Sequence, residues 1–392
     1  MRVSQKLMSV LSQADIKHLL YLPCDRVKSF LAYLEGNKED LPFSLIPLTR
    51  EEEGVGISFG LNLGKERNVL LIQSSGFGNI ITALVTLTQT YSFPLVILVS
   101  LRGFYKEKIY PQILMGRALI EILKALNLDY YFIDKKEDIN LIKDIIKQAY
   151  EEKNIKVALL SPSLFEGEVY ENVVYEKERC FTKKINYEKT ICNPDMTRYE
   201  FFLELLSLLK DYKLNNYKDF AFFVNIGFPS REFYFAQKSL NLNFPTFYML
   251  GSLGLVSSIA LGFSLTKIGK SYKVLSLDGD GSLLMNTGTL STCSCLGKDN
   301  FSIICIDNGT WGSTGDQEIY TFNKVDLELV AKGMGFEKTL FINYKKDVNR
   351  ILKHLENKLF YHVIVKPKNE KVGNIEKDVK SLVLDFWEKV IF

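Results

Sequence analysis

Residues 274–282 read Val274-Leu275-Ser276-Leu277-Asp278-Gly279-Asp280-Gly281-Ser282, an apolar strand that runs into a turn of two aspartates and two glycines. A helical run follows through Cys295, then a turn at Gly297 and a second apolar strand, 301–306, which ends in Asp307-Asn308-Gly309-Thr310. Asp280 and Asn308 lie 28 positions apart, about one strand–helix–strand unit. Right-handed connection of parallel strands delivers both to the carboxyl edge of one sheet. A carboxylate and an amide oxygen there suit a hard divalent cation such as Mg²⁺, which also takes phosphate oxygens. Gly279 and Gly281 let the backbone come close to a diphosphate, and the N–H groups that open the next helix, around Ser282, meet its charge. Two ordinary strand ends with turn glycines would give the same triplet, so the neighbouring motifs carry weight.

Outward from this segment, short runs rich in Val, Ile, Leu and Phe alternate with longer helical patterns. Strands are expected at 17–22, 68–73, 94–100 and 156–160 in the first half, and at 221–225, 272–277, 301–307 and 361–365 in the second. Helices are expected at 80–90, 115–126 and 139–149. Continuous apolar strands separated by helices indicate parallel sheets covered on both faces. The stretch 166–195 breaks the rhythm with Glu176-Lys177-Glu178-Arg179 and Lys183-Lys184, and reads as a connection crossing the surface. The fold class is therefore α/β: two doubly wound parallel-sheet domains, 1–170 and 196–392, joined by a linker at 171–195.

Composition narrows the function. The chain has 392 residues, 47% hydrophobic and 24% charged, which excludes a disordered or fibrous protein. Lys plus Arg total 49 against 46 Asp plus Glu, leaving no electrostatic footprint for nucleic acid. No apolar run approaches the ~18 residues that span a bilayer, so no membrane partner is expected. The N-terminal stretch 1–20 reads as an amphipathic helix without a secretory apolar core, which makes a cytoplasmic protein the expectation. The six cysteines include no Cys-x-x-Cys pair, and reduced thiols are expected. His18, His354 and His362 are the only histidines, poor material for a zinc site or a Ser-His-Asp triad. Two rival phosphate motifs fail by counting: Ser264 stands where a Walker loop ending in Gly269-Lys270-Ser271 needs glycine, and Ile81 stands where Gly76 and Gly78 need a third.

A second anion site is suggested in the first half. Gln73-Ser74-Ser75-Gly76-Phe77-Gly78-Asn79 follows a strand and opens a helix, so Ser75 and Asn79 are placed to hold an anionic substrate. Arg102 directly follows the strand ending at Ser100, with Lys106 and Arg50 as further basic candidates. Solvated side chains are the alternative reading for these cations.

With the Gly279-Asp280-Gly281-Ser282 to Asn308 spacing in hand, the chain resembles the thiamine-diphosphate-dependent 2-oxo acid decarboxylases. The resemblance covers nearly the whole chain, a pyrimidine-binding domain followed by a diphosphate-binding domain with no central domain between them. Within the family the chain is most similar to the sulfopyruvate-decarboxylating branch of coenzyme M biosynthesis, with its alpha and beta parts fused, and next to the phosphonopyruvate branch. The resemblance implies thiamine diphosphate and Mg²⁺ as cofactors and a small 2-oxo acid as substrate. It also implies a homodimer or homotetramer with inter-subunit active sites.

Residue roles follow from the same resemblance. Thr49-Arg50-Glu51-Glu52-Glu53-Gly54 is similar to the segment of the catalytic glutamate, and register on Gly54 selects Glu52, which would hydrogen-bond N1′ of the aminopyrimidine and promote loss of the C2 proton. Three glutamates in a helix's first turn are also ordinary, and Glu51 and Glu53 are expected to be surface or secondary residues. Gly251-Ser252-Leu253-Gly254 resembles the loop that grips the pyrimidine, with Gly251 accepting from the 4′-amine and Leu253 as the wedge that bends the cofactor. Thr310 would lend a backbone carbonyl to the metal. Residues 225–232 resemble a segment near the diphosphate or a neighbouring subunit. Asp25 is either a proton relay or a helix N-cap. The Gly315-Asp316-Gln317 turn departs from the family pattern, which leaves substrate choice less settled than cofactor. A regulatory, non-catalytic thiamine-diphosphate binder is the alternative of a different class.

Overall fold

A computed structural model describes residues 1–168, 182–183, 185 and 187–391. They fall into two units: Met1–Ser58 with Glu66–Glu188, and Phe59–Lys65 with Lys189–Phe392. Much of the expected linker lies outside the described residues.

The first unit holds six strands, β1 (His18–Tyr21), β2 (Ser44–Pro47), β3 (Asn68–Gln73), β4 (Leu95–Ser100), β5 (Asp129–Ile133) and β6 (Ile155–Leu160), in the order β2-β1-β3-β4-β6-β5. The second holds β7 (Asp219–Val224), β8 (Thr246–Tyr248), β9 (Tyr272–Gly279) and β10 (Phe301–Asp307). A short hairpin of β11 (Thr310–Trp311) and β12 (Gln317–Glu318) precedes β13 (Thr339–Ile342) and β14 (Phe360–Ile364). Its main sheet runs β13-β14-β10-β9-β7-β8. Every pairing in both six-stranded sheets is parallel. β4 and β6 are buried at every residue, as strands covered by helices on both faces must be.

The strand orders position the sites. The chain leaves β1 for β2, then returns to lay β3 on the other side of β1; it leaves β7 for β8, then returns to lay β9 beside β7. Each sheet reverses direction next to its first strand. The loops after the two strands at such a reversal diverge to opposite faces and leave a crevice beyond their carboxyl ends. In the second unit the segments that leave those strands are 225–228 and 279–282, the latter passing directly from β9 into a helix.

Several details differ from expectation. The N-terminal helix spans only Val3–Gln13, because the apolar run at His18–Tyr21 is taken up as a buried strand. The run after Asp280 is two helices, Asp280–Met285 and Thr289–Leu296, rather than one. The second of these buries Cys293 and exposes Cys295, so these two thiols face different ways. The expected helix at 80–90 is wound more widely, with π-helical turns over Leu84–Gln89. Among the described residues no helix is long and apolar enough to cross a membrane.

Phe59–Lys65, inside the expected first domain, belongs to the second unit because backbones meet there. A Cβ on Gly60 would lie 2.0 Å from the Ile259 carbonyl oxygen and 2.7 Å from the Phe263 nitrogen. Trp387 Nε1 donates to the Leu63 carbonyl at 2.9 Å. Neither contact partner at Gly60 can swing aside, since both are main chain. Gly60→Ala is therefore expected to cost at least about 1–3 kcal/mol, the usual range for overpacking, read as a lower urea midpoint against the parent.

Candidate active site

The crevice of the second unit is a cavity of about 350 Å³ walled by residues 225–229, Leu253, 278–282, Asn308 and 310–313, with Arg198 and Asn369. Asp280 sits at its floor, buried. Its Oδ1 accepts from Gly281 N at 2.9 Å; its Oδ2 accepts from Gly309 N at 2.8 Å and Thr321 Oγ1 at 3.1 Å. One carboxylate thus ties the end of β9 to the turn after β10, which brings Asp280 and the Asn308–Gly309 turn together as the sequence spacing requires.

The floor is crowded with acid. Asp278 accepts from Ser257 Oγ at 2.7 Å and from Gly279 N at 2.9 Å, and burial pushes its carboxyl up to about 6. Burial first, and the neighbouring Asp307 carboxylate second, raise Asp280 well above the ordinary range. Among the described residues, no lysine or arginine forms an ion pair with Asp278 or Asp280. Buried carboxylates held close without a cation gain from one. The donors available, an aspartate, the Asn308 amide and the Thr310 carbonyl, are the hard oxygens that Mg²⁺ prefers.

Glycine is required here for two distinct reasons. Gly227 has φ +86°, a left-handed conformation that starts the helix Phe228–Ser239 at the cavity wall. At Gly281 a Cβ would lie 2.5 Å from the Trp311 ring. In the 251–254 loop both Ser252 (φ +63°) and Gly254 (φ +98°) are left-handed, and Gly254 N donates to Ser282 Oγ at 3.1 Å. That loop presents Leu253 to the cavity.

The first unit gathers the remaining predicted residues in two clusters. At the start of the helix Glu51–Leu63, Glu51 and Glu53 are buried, so of the expected surface or secondary positions the surface one is ruled out. Glu51 Oε2 accepts from Asn79 Nδ2 at 2.9 Å, and its other oxygen lies against Gly76. Asn79 is thereby turned toward a carboxylate rather than free for an anion. Glu53 accepts from Thr49 Oγ1 at 2.8 Å and caps the helix start. Glu52 is partly buried and pairs loosely with Arg50 at 3.6 Å; burial raises its carboxyl and Arg50 opposes that. Ser75 lies in the short helix Ser74–Phe77 after β3.

The cationic candidates are already paired. Arg102 is buried, with Nε on Glu107 at 2.6 Å and Nη1 on Asp25 at 2.8 Å. Its Nη2 is buried and has no hydrogen-bond partner among the described residues. Lys106 is exposed and pairs with Glu166 at 2.5 Å, so it is a surface ion pair rather than a free cation over the sheet edge. Asp25 is not an N-cap: Cys24 precedes the short 3₁₀ turn Asp25–Val27, and the Asp25 side chain is 62% exposed against Arg102.

Comparison with known proteins fits this geometry. Residues 1–115 match the family described as "Thiamine pyrophosphate enzyme, N-terminal TPP binding domain", and residues 230–365 match its C-terminal TPP binding domain. A sulfopyruvate decarboxylase from Methanosarcina acetivorans is 37% identical over 396 aligned positions, spanning 98% of this chain and 96% of its own. The chain belongs to the thiamine pyrophosphate enzyme family. A phosphonopyruvate decarboxylase from Streptomyces viridochromogenes is 28% identical across 74% of this chain and 70% of its own. The solved structure of benzoylformate decarboxylase from Polynucleobacter necessarius shares the fold, with a TM-score of 0.60 at 12% identity over 94% of this chain and 100% of its own.

Among the residues that line this cavity, Arg198, Trp311 and Asn369 were not singled out from the sequence. Arg198 forms a two-pronged ion pair with buried Glu232, at 2.8 and 2.9 Å, and its Nη2 also reaches Asn369 Oδ1 at 2.8 Å. No local signal marks residues that meet across 171 positions. Asp278 and Asp307 were legible as neighbours of Asp280 and Asn308.

The Arg102–Glu107 pair generates a pH prediction. The Arg102 hydrogen bond holds the Glu107 carboxyl down at about 2, from an ordinary 4.5. A carboxyl depressed on folding adds stability above its unfolded value and loses it as pH falls through the folded one. Glu107→Gln should therefore flatten the dependence of the unfolding free energy on pH between about 4.5 and 2, measured by urea titrations at stepped pH.

Proposed function

We propose that this chain is a carboxy-lyase that converts 3-sulfopyruvate to sulfoacetaldehyde and CO₂ without oxidation, using thiamine diphosphate and Mg²⁺. The observation that carries the reading is the end-to-end match to a sulfopyruvate decarboxylase. The crevice built on Asp280 and Asn308 supports it. Asp280, Asn308 and the Thr310 carbonyl hold the metal, while Gly279, Gly281 and the N–H groups through Ser282 receive the diphosphate. Gly251, Ser252 and Leu253 fit the pyrimidine ring. Thiamine diphosphate supplies the nucleophilic carbon and the electron sink for loss of CO₂. A second copy of the chain completes each site.

A glutamate at the start of the helix Glu51–Leu63 moves a proton at N1′ of the pyrimidine. Register on Gly54 selects Glu52, and its raised, partly buried carboxyl suits proton exchange. Burial and position favour Glu51, which lies on Gly76 in the short helix after β3, beside the strand reversal of the first sheet. Glu52 instead faces Arg50. General acid–base roles are worth roughly 10²–10⁴-fold. Glu51→Gln should slow H/D exchange at C2 of bound cofactor within about that range, and Glu52→Gln by less than about 10-fold; the reverse order returns the role to Glu52.

Arg102 follows β4 and would meet the substrate's sulfonate through Nη2, a buried atom with no hydrogen-bond partner among the described residues, because Glu107 and Asp25 use the rest of its guanidinium. Ser75, next to the Ser74 hydroxyl that accepts from Arg102 N, would supply a further hydroxyl. Asp25, exposed and oriented by Arg102, is placed to return a proton to the product. The substrate assignment is tested by assaying sulfopyruvate and phosphonopyruvate side by side for CO₂ release. Faster turnover of sulfopyruvate is expected; faster phosphonopyruvate overturns the substrate, and release from neither leaves a non-catalytic cofactor binder.

A further inference from the structure

Behind the cavity floor lies a second group of buried and half-buried titratable side chains that the chemistry above does not use. Asp326, Glu328 and His362 bring their ligand atoms within 4.8 Å of one another, a spacing that suits a metal ion. A lysine stands there instead. Lys189 Nζ lies 2.9 Å from Asp326 Oδ2, 3.3 Å from Glu328 Oε2 and 2.8 Å from His362 Nδ1. It also sits 4.2 Å from the centroid of the Phe341 ring, a cation–π contact that closes the cage. The Lys189 side chain is 4% exposed and that of His362 0%.

Hydrogen-bond roles in this cage follow from chemistry alone. An ammonium only donates, so His362 Nδ1 must accept from Lys189. The proton of the ring is then on Nε2, which donates to Asp307 Oδ2 at 2.9 Å. The other oxygen of Asp307 accepts from Gly309 N at 3.0 Å, the same N–H that Asp280 holds at 2.8 Å. A continuous line of buried contacts thus runs from Lys189 through His362 and Asp307 to the Asn308–Gly309 turn. A histidine oriented by a fixed partner on its far nitrogen is the usual way to set a tautomer at a site.

We propose that Lys189 is a positioning residue: its ammonium is the resident cation of the Asp326–Glu328–His362 cage, and through the His362 tautomer it sets Asp307 and the turn that presents Asn308 to the cofactor. Because the lysine fills the cage, the parent protein binds no metal there.

Trp311, packed on Gly281 at the cavity wall, gives a local fluorescence signal for cofactor binding, measured with thiamine diphosphate in saturating Mg²⁺. Lys189→Met is expected to weaken binding about 10- to 100-fold, the range for residues that orient a ligand set. Lys189→Arg, which keeps the charge, should recover most of it. Asp280→Ala, which removes the site itself, runs alongside. Parent-like binding by Lys189→Met while Asp280→Ala fails overturns the proposal and leaves the site assignment standing. Equal losses in Lys189→Met and Lys189→Arg also overturn it, since charge would then be irrelevant. If Lys189→Met does not accumulate, His362→Gln carries the test with the same expected loss, and parent-like affinity in it is a refutation. Added Co²⁺ should give no visible absorption band with the loaded parent; a band that disappears in His362→Gln would mean that the cage binds metal and the lysine does not fill it.

Discussion

The Asp280 carboxylate is the interaction on which the second unit's site depends. It receives hydrogen bonds from its own turn, from Gly309 beyond the adjacent strand and from Thr321, so three separate stretches of chain meet on one side chain. Each of these bonds satisfies a buried donor that would otherwise be left unpaired. They also fix the Asn308–Gly309 turn before any ligand arrives, which reduces the cost of ordering at binding. The glycines around it are consequences: Gly281 makes room for Trp311, and Gly227 permits the backbone bend that brings the next wall forward.

That arrangement carries an electrostatic penalty. Asp278, Asp280 and Asp307 are buried near one another, and all three carboxyls are raised by burial. Stability alone would select against such a group. A cation bound beside these carboxyls would relieve their mutual repulsion, so the feature that weakens the fold is one that a cation would offset. The first unit treats its charges the opposite way. There Arg102 and Arg26 face Glu107 and Asp25, and the cluster is nearly neutral by itself. A neutral cluster attracts anions weakly; selectivity there would come from the geometry of the remaining donors rather than from net charge.

What could be read without coordinates depended on burial. All eight strands expected from apolar runs form, and the four not anticipated in the two six-stranded sheets, β2, β5, β8 and β13, are their four edges. Edge strands need not be apolar throughout: β2 and β5 have mixed burial, and β8 is only three residues long. The Asp280–Asn308 pair was legible because one strand–helix–strand unit separates them, so local chain geometry fixes where both emerge. The Glu51-Glu52-Glu53 run was legible as a place but not as a choice. Successive helix positions differ by about 100° in direction, and only the packing of the neighbouring loop decides which of three like residues turns inward.

The sequence by itself determined the α/β class, the parallel sheets, the Asp-Gly turn at 278–282 and its partner at 307–310. These are properties of periodicity and of short, chirally restricted connections, which each stretch of chain carries within itself. Tertiary structure alone decided which ions are free. Arg102 and Lys106 look like available cations in the sequence, and become committed when Asp25, Glu107 and Glu166 are brought to them. Lys189 and His362, unremarkable 173 positions apart, become one buried contact behind the site. Charge is written in the residue, but its availability depends on which opposite charge the fold places within a few ångströms, and long-range pairing leaves no local trace.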